Sequence, residues 1–399
     1  MREFISRFPR ALVPIYGITL MDVLGYTILI PLLPYIAQRH HASDFTVGVL
    51  MTTTAVCSTV SAPVWGWFSD RLGRKRIVMT SQLFSLAGYF LIAVAPDLAM
   101  IFVSRAVAGL GGGNLGVAES YIADVTRVED RDLAYAAYGA LFGLGFIIGP
   151  IVSGFLVPYG FGVPFFLAAF LEILNIAFTW KFLPTTCTDT ERRVPHSPGE
   201  ILTTLRIPRI GSLLGRQLLF IFAVTYFLTT FSLYVKHVLD YGPEFAGWLL
   251  ALAGGVGGFT FLSLNPLVRR FGNNLVCELG FSLAILAYIG LSFVNGLGAF
   301  IAVMIVWAAG AALAEPTLTT LLSEAAPEDQ RGAVLGLGDS ANNLALMGAP
   351  ALGAFMTGLN PRVAGLIPAL VTAVAFLLGW IAWRKHWETP RSTTPTVRL

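Results

Sequence analysis

The sequence predicts an all-α integral membrane protein of about twelve transmembrane helices, in two six-helix bundles related by a pseudo-two-fold axis. Three observations predict it. Hydrophobic residues make up 55% of the chain and charged residues 12%, about half the charge that a soluble domain carries on its surface. About twelve stretches are long and apolar enough to cross a bilayer. The two halves of the chain also repeat one another.

A helix crossing ~30 Å of hydrocarbon needs about 20 mostly apolar residues. Such stretches begin near Ala11, Thr46, Ile77, Ile101, Leu133 and Gly162, and again near Ser212, Pro243, Leu275, Gly298, Arg331 and Val363. The basic start, MREFISRFPRALVPIYG, runs on without a small-residue cleavage site to about Ile36, so it reads as a retained first span. One long polar stretch divides the series, with PTTCTDTERRVPHSPGE at its core. The expected organisation is an N-terminal bundle over 1–183, a cytoplasmic linker over 184–211, and a C-terminal bundle with a short tail over 212–399.

The cations give the orientation. With both ends and the linker on one side of the membrane, that side holds every Lys and Arg of the 26 except Arg39, Lys236, Arg362 and Arg105. Arg105 falls within a span. Because cytoplasmic loops carry the excess of Lys and Arg, both termini are expected in the cytoplasm of a multi-pass protein of the cell (inner) membrane. Cys57, Cys187 and Cys277 have neither paired nor metal-type spacing, so no disulfide framework, metal site or cofactor is expected.

The repeat is visible without gaps. ADVTRVEDR at 123–131 aligns with SEAAPEDQR at 323–331, and the following spans carry Pro150 and Pro350 in the same register. RLGRK after the second span matches RFGNN after the eighth in placement and pattern. Parallel six-span repeats are a known transporter architecture with the site between the halves.

Three segments carry a family resemblance. GWFSDRLGRKR, from Gly66 to Arg76, matches the signature G-x-x-x-D-R-x-G-R-[KR]-[KR] of the major facilitator superfamily at all its specified positions. The resemblance implies a conformational latch between the second and eleventh helices, built from Gly66, Asp70, Arg71, Gly73, Arg74 and Lys75, with Asp124 as a carboxylate partner. SRAVAGLGGGNLGVAESYIADVT in the fourth span resembles the family's buried arginine and glycine-rich helix. GLGFIIGPIVSG in the fifth resembles its antiporter motif, through Gly145, Gly149, Pro150 and Gly154. With LMDVLGYTILIPLLP in the first span, the whole looks most like the twelve-helix drug:proton antiporters, particularly the tetracycline-efflux-like branch.

Ionisable groups inside spans are functional candidates by default. Asp22 lies about eleven residues into the first span, ~16 Å deep at 1.5 Å per residue, and Arg105 reaches comparable depth, so a pair between them, direct or through water, is expected. Glu119 follows Arg105 by 14 residues, which on a continuous helix returns it to nearly the same face. Glu315 and Asp339 are the candidates of the second half. Glu172 ranks below them because its helix is peripheral in this fold, and Glu278 is expected at the interface. Asn114, Gln217, Tyr226, Tyr234, Asn342 and Asn343 are candidate hydrogen-bonding contacts for a substrate.

Five interior acids against one interior cation point to an electronegative cavity. A carboxylate withdrawn from water holds a proton more readily, so a proton and a cationic or zwitterionic substrate can compete for it. The expected function is therefore proton-coupled export of lipophilic small molecules by alternating access, by a monomer whose partners are substrate, protons and the lipid bilayer. A metabolite, sugar or lysolipid carrier of the same fold is the alternative. A non-transporting receptor or intramembrane enzyme is remoter, since the chain lacks HExxH and nucleophile-elbow motifs. No nucleic-acid-binding feature is present.

Overall fold

The computed structural model describes residues 12–112, 114–126, 131–184, 207–327, 331–361 and 365–387. The chain ends, residues 185–206 of the expected linker, parts of the two aligned repeat segments and Arg362 lie outside the described residues. The regular elements among them are fourteen α-helices and one 3-10 turn.

The first span is α1 (Leu12–Leu29) and α2 (Leu33–Arg39), separated where Pro31 and Pro34 interrupt the backbone ladder. The second and third are α3 (Asp44–Leu72) and α4 (Arg74–Ala93). The fourth divides into α5 (Leu98–Leu110) and α6 (Asn114–Val125), followed by α7 (Arg131–Leu156) and α8 (Val163–Phe182). The second half runs α9 (Pro208–His237), α10 (Pro243–Leu262), α11 (Leu264–Leu291), α12 (Leu297–Ala325), α13 (Arg331–Leu359) and α14 (Leu366–Trp387). Among the described residues, nine helices are long and apolar enough to cross a membrane. The other three spans are explained individually. The fourth is broken, α13 has its apolar run interrupted by Asp339, Ser340, Asn342 and Asn343, and α14 has a shorter apolar stretch, Leu366–Ile381.

The repeat extends to backbone conformation. Gly73 takes φ 90° and ψ 145° between α3 and α4, and Gly272 takes φ 80° and ψ 156° inside α11, where the eighth span gives way to the ninth. That region is open essentially to glycine alone. RLGRK and RFGNN therefore share a turn as well as a pattern, although the second lacks the acid and the trailing cations.

The glycine-rich fourth span is not one continuous helix, and its break is chemically supported. Exposed carbonyls inside a bilayer need internal donors. Ser58 Oγ donates to the Gly109 carbonyl at 3.2 Å and Ser61 Oγ at 3.3 Å, Trp65 Nε1 donates to Leu110 O at 2.5 Å, and Ser81 Oγ donates to Gly111 O. A Cβ on Gly109 would lie 2.6 Å from Thr54 O, so the glycines also let α3 and α4 approach. The break overturns the continuous-helix argument that set Glu119 on the face of Arg105.

Within the second half, α11 and α12 pack backbone to backbone. A Cβ on Gly280 would lie 2.6 Å from Ala314 N, and one on Gly310 would lie 2.8 Å from Ala284 N. Gly280→Val is expected to lower the thermal unfolding midpoint in detergent by several degrees, from an overpacking cost of about 1–3 kcal/mol. A fluorescence melt of the purified variant checks this.

The halves meet at the end away from the RLGRK loop. Tyr35 Oη donates to Tyr241 O at 3.2 Å, Lys236 Nζ to Gln38 Oε1 at 2.5 Å, and His237 Nε2 lies 3.1 Å from Asp44 Oδ1. Phe45 and Phe355 pack edge to face at 6.0 Å. On the half of the helices nearer the basic face, Gly66, Gly139, Gly143 and Gly336 have open space where a Cβ would point. The halves are thus closed against one another on the sparsely charged face.

Candidate functional site

Ionisable side chains inside the spans gather in two groups, one within the first half and one with members from both halves. The first gathers on α1, α4, α5 and α8. Asn175 Nδ2 donates to Asp22 Oδ1 at 2.7 Å and to Ile18 O at 3.3 Å. Glu172 is 1% exposed and stands in hydrogen-bonding reach of both Asp22 and Asn175, with its Oε1 lacking any donor. Two carboxyls at hydrogen-bonding range share the bond only when one carries a proton. Tyr89 stands in electrostatic reach of Asp22, Tyr26, Arg105 and Glu172.

The expected direct Asp22–Arg105 pair does not form. Arg105 is 3% exposed and donates from Nε and Nη2 to Ser104 Oγ, at 3.3 and 3.0 Å. Tyr26 and Tyr89 lie within its electrostatic reach. Asp22 turns instead to the sixth span. Glu172 is accordingly more central than its peripheral helix implied, since α8 presents this buried face to α1 and not to lipid. Glu172 and Asn175, three residues apart, occupy one side of that helix. Their spacing was a readable signal, as was Tyr26, one turn beyond Asp22.

The second group lies nearer the basic face and spans both halves. Glu119 on α6 and Asp339 on α13 are in electrostatic reach of one another. Tyr138 on α7 stands in reach of both and of Asp22, which places a phenol between the two groups. Tyr135 Oη donates to Glu119 O at 3.1 Å. Glu315 is exposed on α12, away from the other acids.

The remaining candidates divide. Gln217 Nε2 donates to Asn342 Oδ1 at 3.1 Å, which ties α9 to α13, and Asn343 is half-buried on the same helix. Tyr234 is spent within the C-terminal core, where its hydroxyl donates to Leu291 O at 3.0 Å and its ring stacks on Phe300. In this conformation it has no hydroxyl to offer a substrate. Tyr226 is fully buried in the same half with an unpartnered hydroxyl. The side chains of Asn114 and Asp70 lie outside the described residues. Glu278 is not free at an interface but paired with Arg216 at 2.6 Å. No group of three or more His, Cys, Asp or Glu among the described residues is placed to hold a metal ion.

The described contacts of Arg71, Arg74 and Lys75 lie within their own half. Arg74, 1% exposed, pairs with Asp124 at 3.2 Å and donates to Ser69 Oγ at 2.5 Å. Lys75 Nζ donates to Trp180 O at 2.6 Å, and the Arg71 guanidinium lies 3.8 Å from the centre of the Trp67 ring. In α7, Gly145 and Gly149 face Val23 and Thr27 of α1, and Thr27 Oγ1 donates to Gly145 O at 2.9 Å. Pro150 and Gly154 face α10 of the other half, where a Cβ on Gly247 would lie 2.8 Å from Pro150 O. The second half mirrors this, since a Cβ on Gly48 would lie 2.5 Å from Pro350 O.

Known proteins share this architecture along nearly the whole chain. The tetracycline resistance protein, class H, of Pasteurella multocida is 24% identical, over 97% of this chain and 99% of its own. Multidrug resistance protein 2 of Bacillus subtilis (strain 168) is 25% identical, over 91% of this chain and 92% of its own. The crystal structure of the human organic anion transporter MFSD10 (TETRAN) superposes with a TM-score of 0.72 at 19% identity, covering 93% of this chain and 100% of that one. The family model described as Major Facilitator Superfamily matches residues 15–349, and the chain belongs to that family of multi-pass secondary transporters of small molecules.

Proposed function

We propose that this transporter is a proton-coupled antiporter that exports lipophilic cationic or zwitterionic small molecules by alternating access. The observation that carries the reading is the pair of carboxyls in hydrogen-bonding reach, Asp22 and Glu172, with the buried guanidinium of Arg105 turned to Ser104 and not to them. The names of the curated relatives, resistance to tetracycline and to multiple drugs, support the drug class.

With both termini cytoplasmic, the basic face admits substrate from the cytoplasm. A cation settling between Asp22 and Glu172 favours both as carboxylates and displaces the proton they share. After the halves rock, a proton from outside restores the pair and releases the cation. The RLGRK latch would hold the alternate state, in which α3 and α13 approach at the basic face and Asp70 meets the positive end of α13. The chain works as a monomer in the cell membrane.

Equilibrium binding of a labelled lipophilic cation, such as tetraphenylphosphonium, tests the competition. Binding is expected to weaken as pH falls in the native protein, because the proton takes the cation's place. In Asp22→Asn it is expected to be weak and independent of pH. Binding to the native protein that does not respond to pH would refute the shared site.

A further inference from the structure

Outside the space between the halves, a cavity of about 720 Å³ opens among α9, α11, α12 and α14, a size common to small-molecule sites, ~300–1,000 Å³. All four helices belong to the second half. Phe271, Leu275, Leu279 and Trp380 on its walls are well exposed, so the cavity opens on the outer wall, the side a bilayer covers.

Its polar floor is unusual for such a place. Arg209, Ser212 and Arg216 line it from one face of α9, and the step of seven positions from one arginine to the other amounts to about 10 Å of helix. Arg209 is exposed at the rim, whereas Arg216 is 4% exposed. Arg216 Nη2 donates to Glu278 Oε1 at 2.6 Å. Arg216 Nε and Glu278 Oε2 are buried without partners. A side chain on Gly379 of α14 would collide with the pair, so a glycine there keeps the space that it fills.

A buried ion pair is often no better for stability than apolar residues of the same volume, and each unpartnered buried polar atom costs about 1–3 kcal/mol. The floor therefore holds a guanidinium and a partly exposed carboxylate whose own pairing does not use all of their hydrogen-bonding capacity, with a second guanidinium at the rim. That set fits a headgroup that carries both an anion and a hydrogen-bonding cation.

We propose that this cavity binds an aminophospholipid from the leaflet on the basic face. Its phosphate lies between Arg209 and Arg216, its ammonium donates to the Glu278 carboxylate, whose side chain is 18% exposed, and an acyl chain follows Phe271, Leu275 and Leu279. A choline headgroup has no N–H to donate to Glu278. A glycerol headgroup brings no cation to balance that carboxylate. The site is distinct from the substrate space, and it stands whether or not the antiport reading does.

Native mass spectrometry of the full-length protein, extracted from nanodiscs of equal phosphatidylethanolamine, phosphatidylcholine and phosphatidylglycerol, tests the proposal. About tenfold preferential retention of phosphatidylethanolamine is expected. Glu278→Gln should erase that preference. Because this variant leaves Arg216 buried without its partner, Arg209→Gln and Leu275→Trp serve as independent probes at exposed positions where folding is not at stake. Each should reduce retention to the level of the other lipids. Equal retention of the three lipids, preference for phosphatidylglycerol or phosphatidylcholine, or a phosphatidylethanolamine preference untouched by both exposed variants would overturn it.

Discussion

Asp22→Asn is expected to reduce proton-coupled transport to the level of protein-free vesicles while the protein still folds and inserts. The two consequences separate because the amide is nearly isosteric with the carboxylate. Its oxygen can accept from Asn175 Nδ2, as Asp22 Oδ1 does at 2.7 Å. Its NH₂ can donate to the Glu172 carboxylate, whose Oε1 has no donor in the native protein. Stability should therefore change by no more than about 1 kcal/mol. What is lost is a carboxyl able to exchange a proton for a cation. Glu172→Gln should also impair coupling, since it removes the second carboxyl of the pair. If the two share one proton, the double variant will lose no more than the worse single variant. Solute flux and thermal melts of the three variants, measured on the same preparations, check this.

Gly247→Leu is expected to slow transport by a different route. The added Cβ would meet Pro150 O at 2.8 Å and the Gly154 backbone at 3.0 Å. Both are main-chain atoms of the opposite half, with no flexible end to yield. The sparsely charged face then closes at a cost of about 1–3 kcal/mol of overpacking, and because every turnover requires that closure, transport falls by roughly 5- to 160-fold. The C-terminal half keeps its own packing, so the variant should be made and inserted normally. A cysteine introduced at Phe45, beside Phe355 at the closed end, should react with an impermeant thiol reagent from that face far faster than in the native background. Gly257→Ala on the same helix is the control, because its Cβ would come no nearer than 3.9 Å to Ala308 O. It should transport at close to the native rate.

The division of the chain into spans was legible because water rejects twenty apolar residues in a row wherever they occur. The repeat was legible because Pro150 and Pro350 keep the register of the aligned segments and the two loop glycines take equivalent places, and the equivalence extends to φ and ψ at Gly73 and Gly272. Facing was much harder to read. In a soluble protein the polar stripe of a helix marks its outer side, but a membrane helix is apolar toward both lipid and neighbours, so hydropathy gave no sign that Glu172 turns toward Asp22. The break at Gly111 was hidden for a related reason. Its carbonyls are satisfied by Ser58, Ser61, Trp65 and Ser81 from other helices, and such donors are visible only in three dimensions. Arg216 and Glu278 were each read from the nearest loop, as a cytoplasmic cation and an interfacial acid. Their sequence positions, 62 residues apart, say nothing of their meeting.

The most direct test of proton-for-drug exchange is proton flux in proteoliposomes under a fixed pH gradient, while lipophilic cations, zwitterions, sugars and lysolipids are added in turn. Proton movement triggered by the lipophilic cations or zwitterions, and absent in Asp22→Asn, is the predicted result. Silence with those compounds alongside a response to sugars or lysolipids, or an undiminished response in Asp22→Asn, would contradict it.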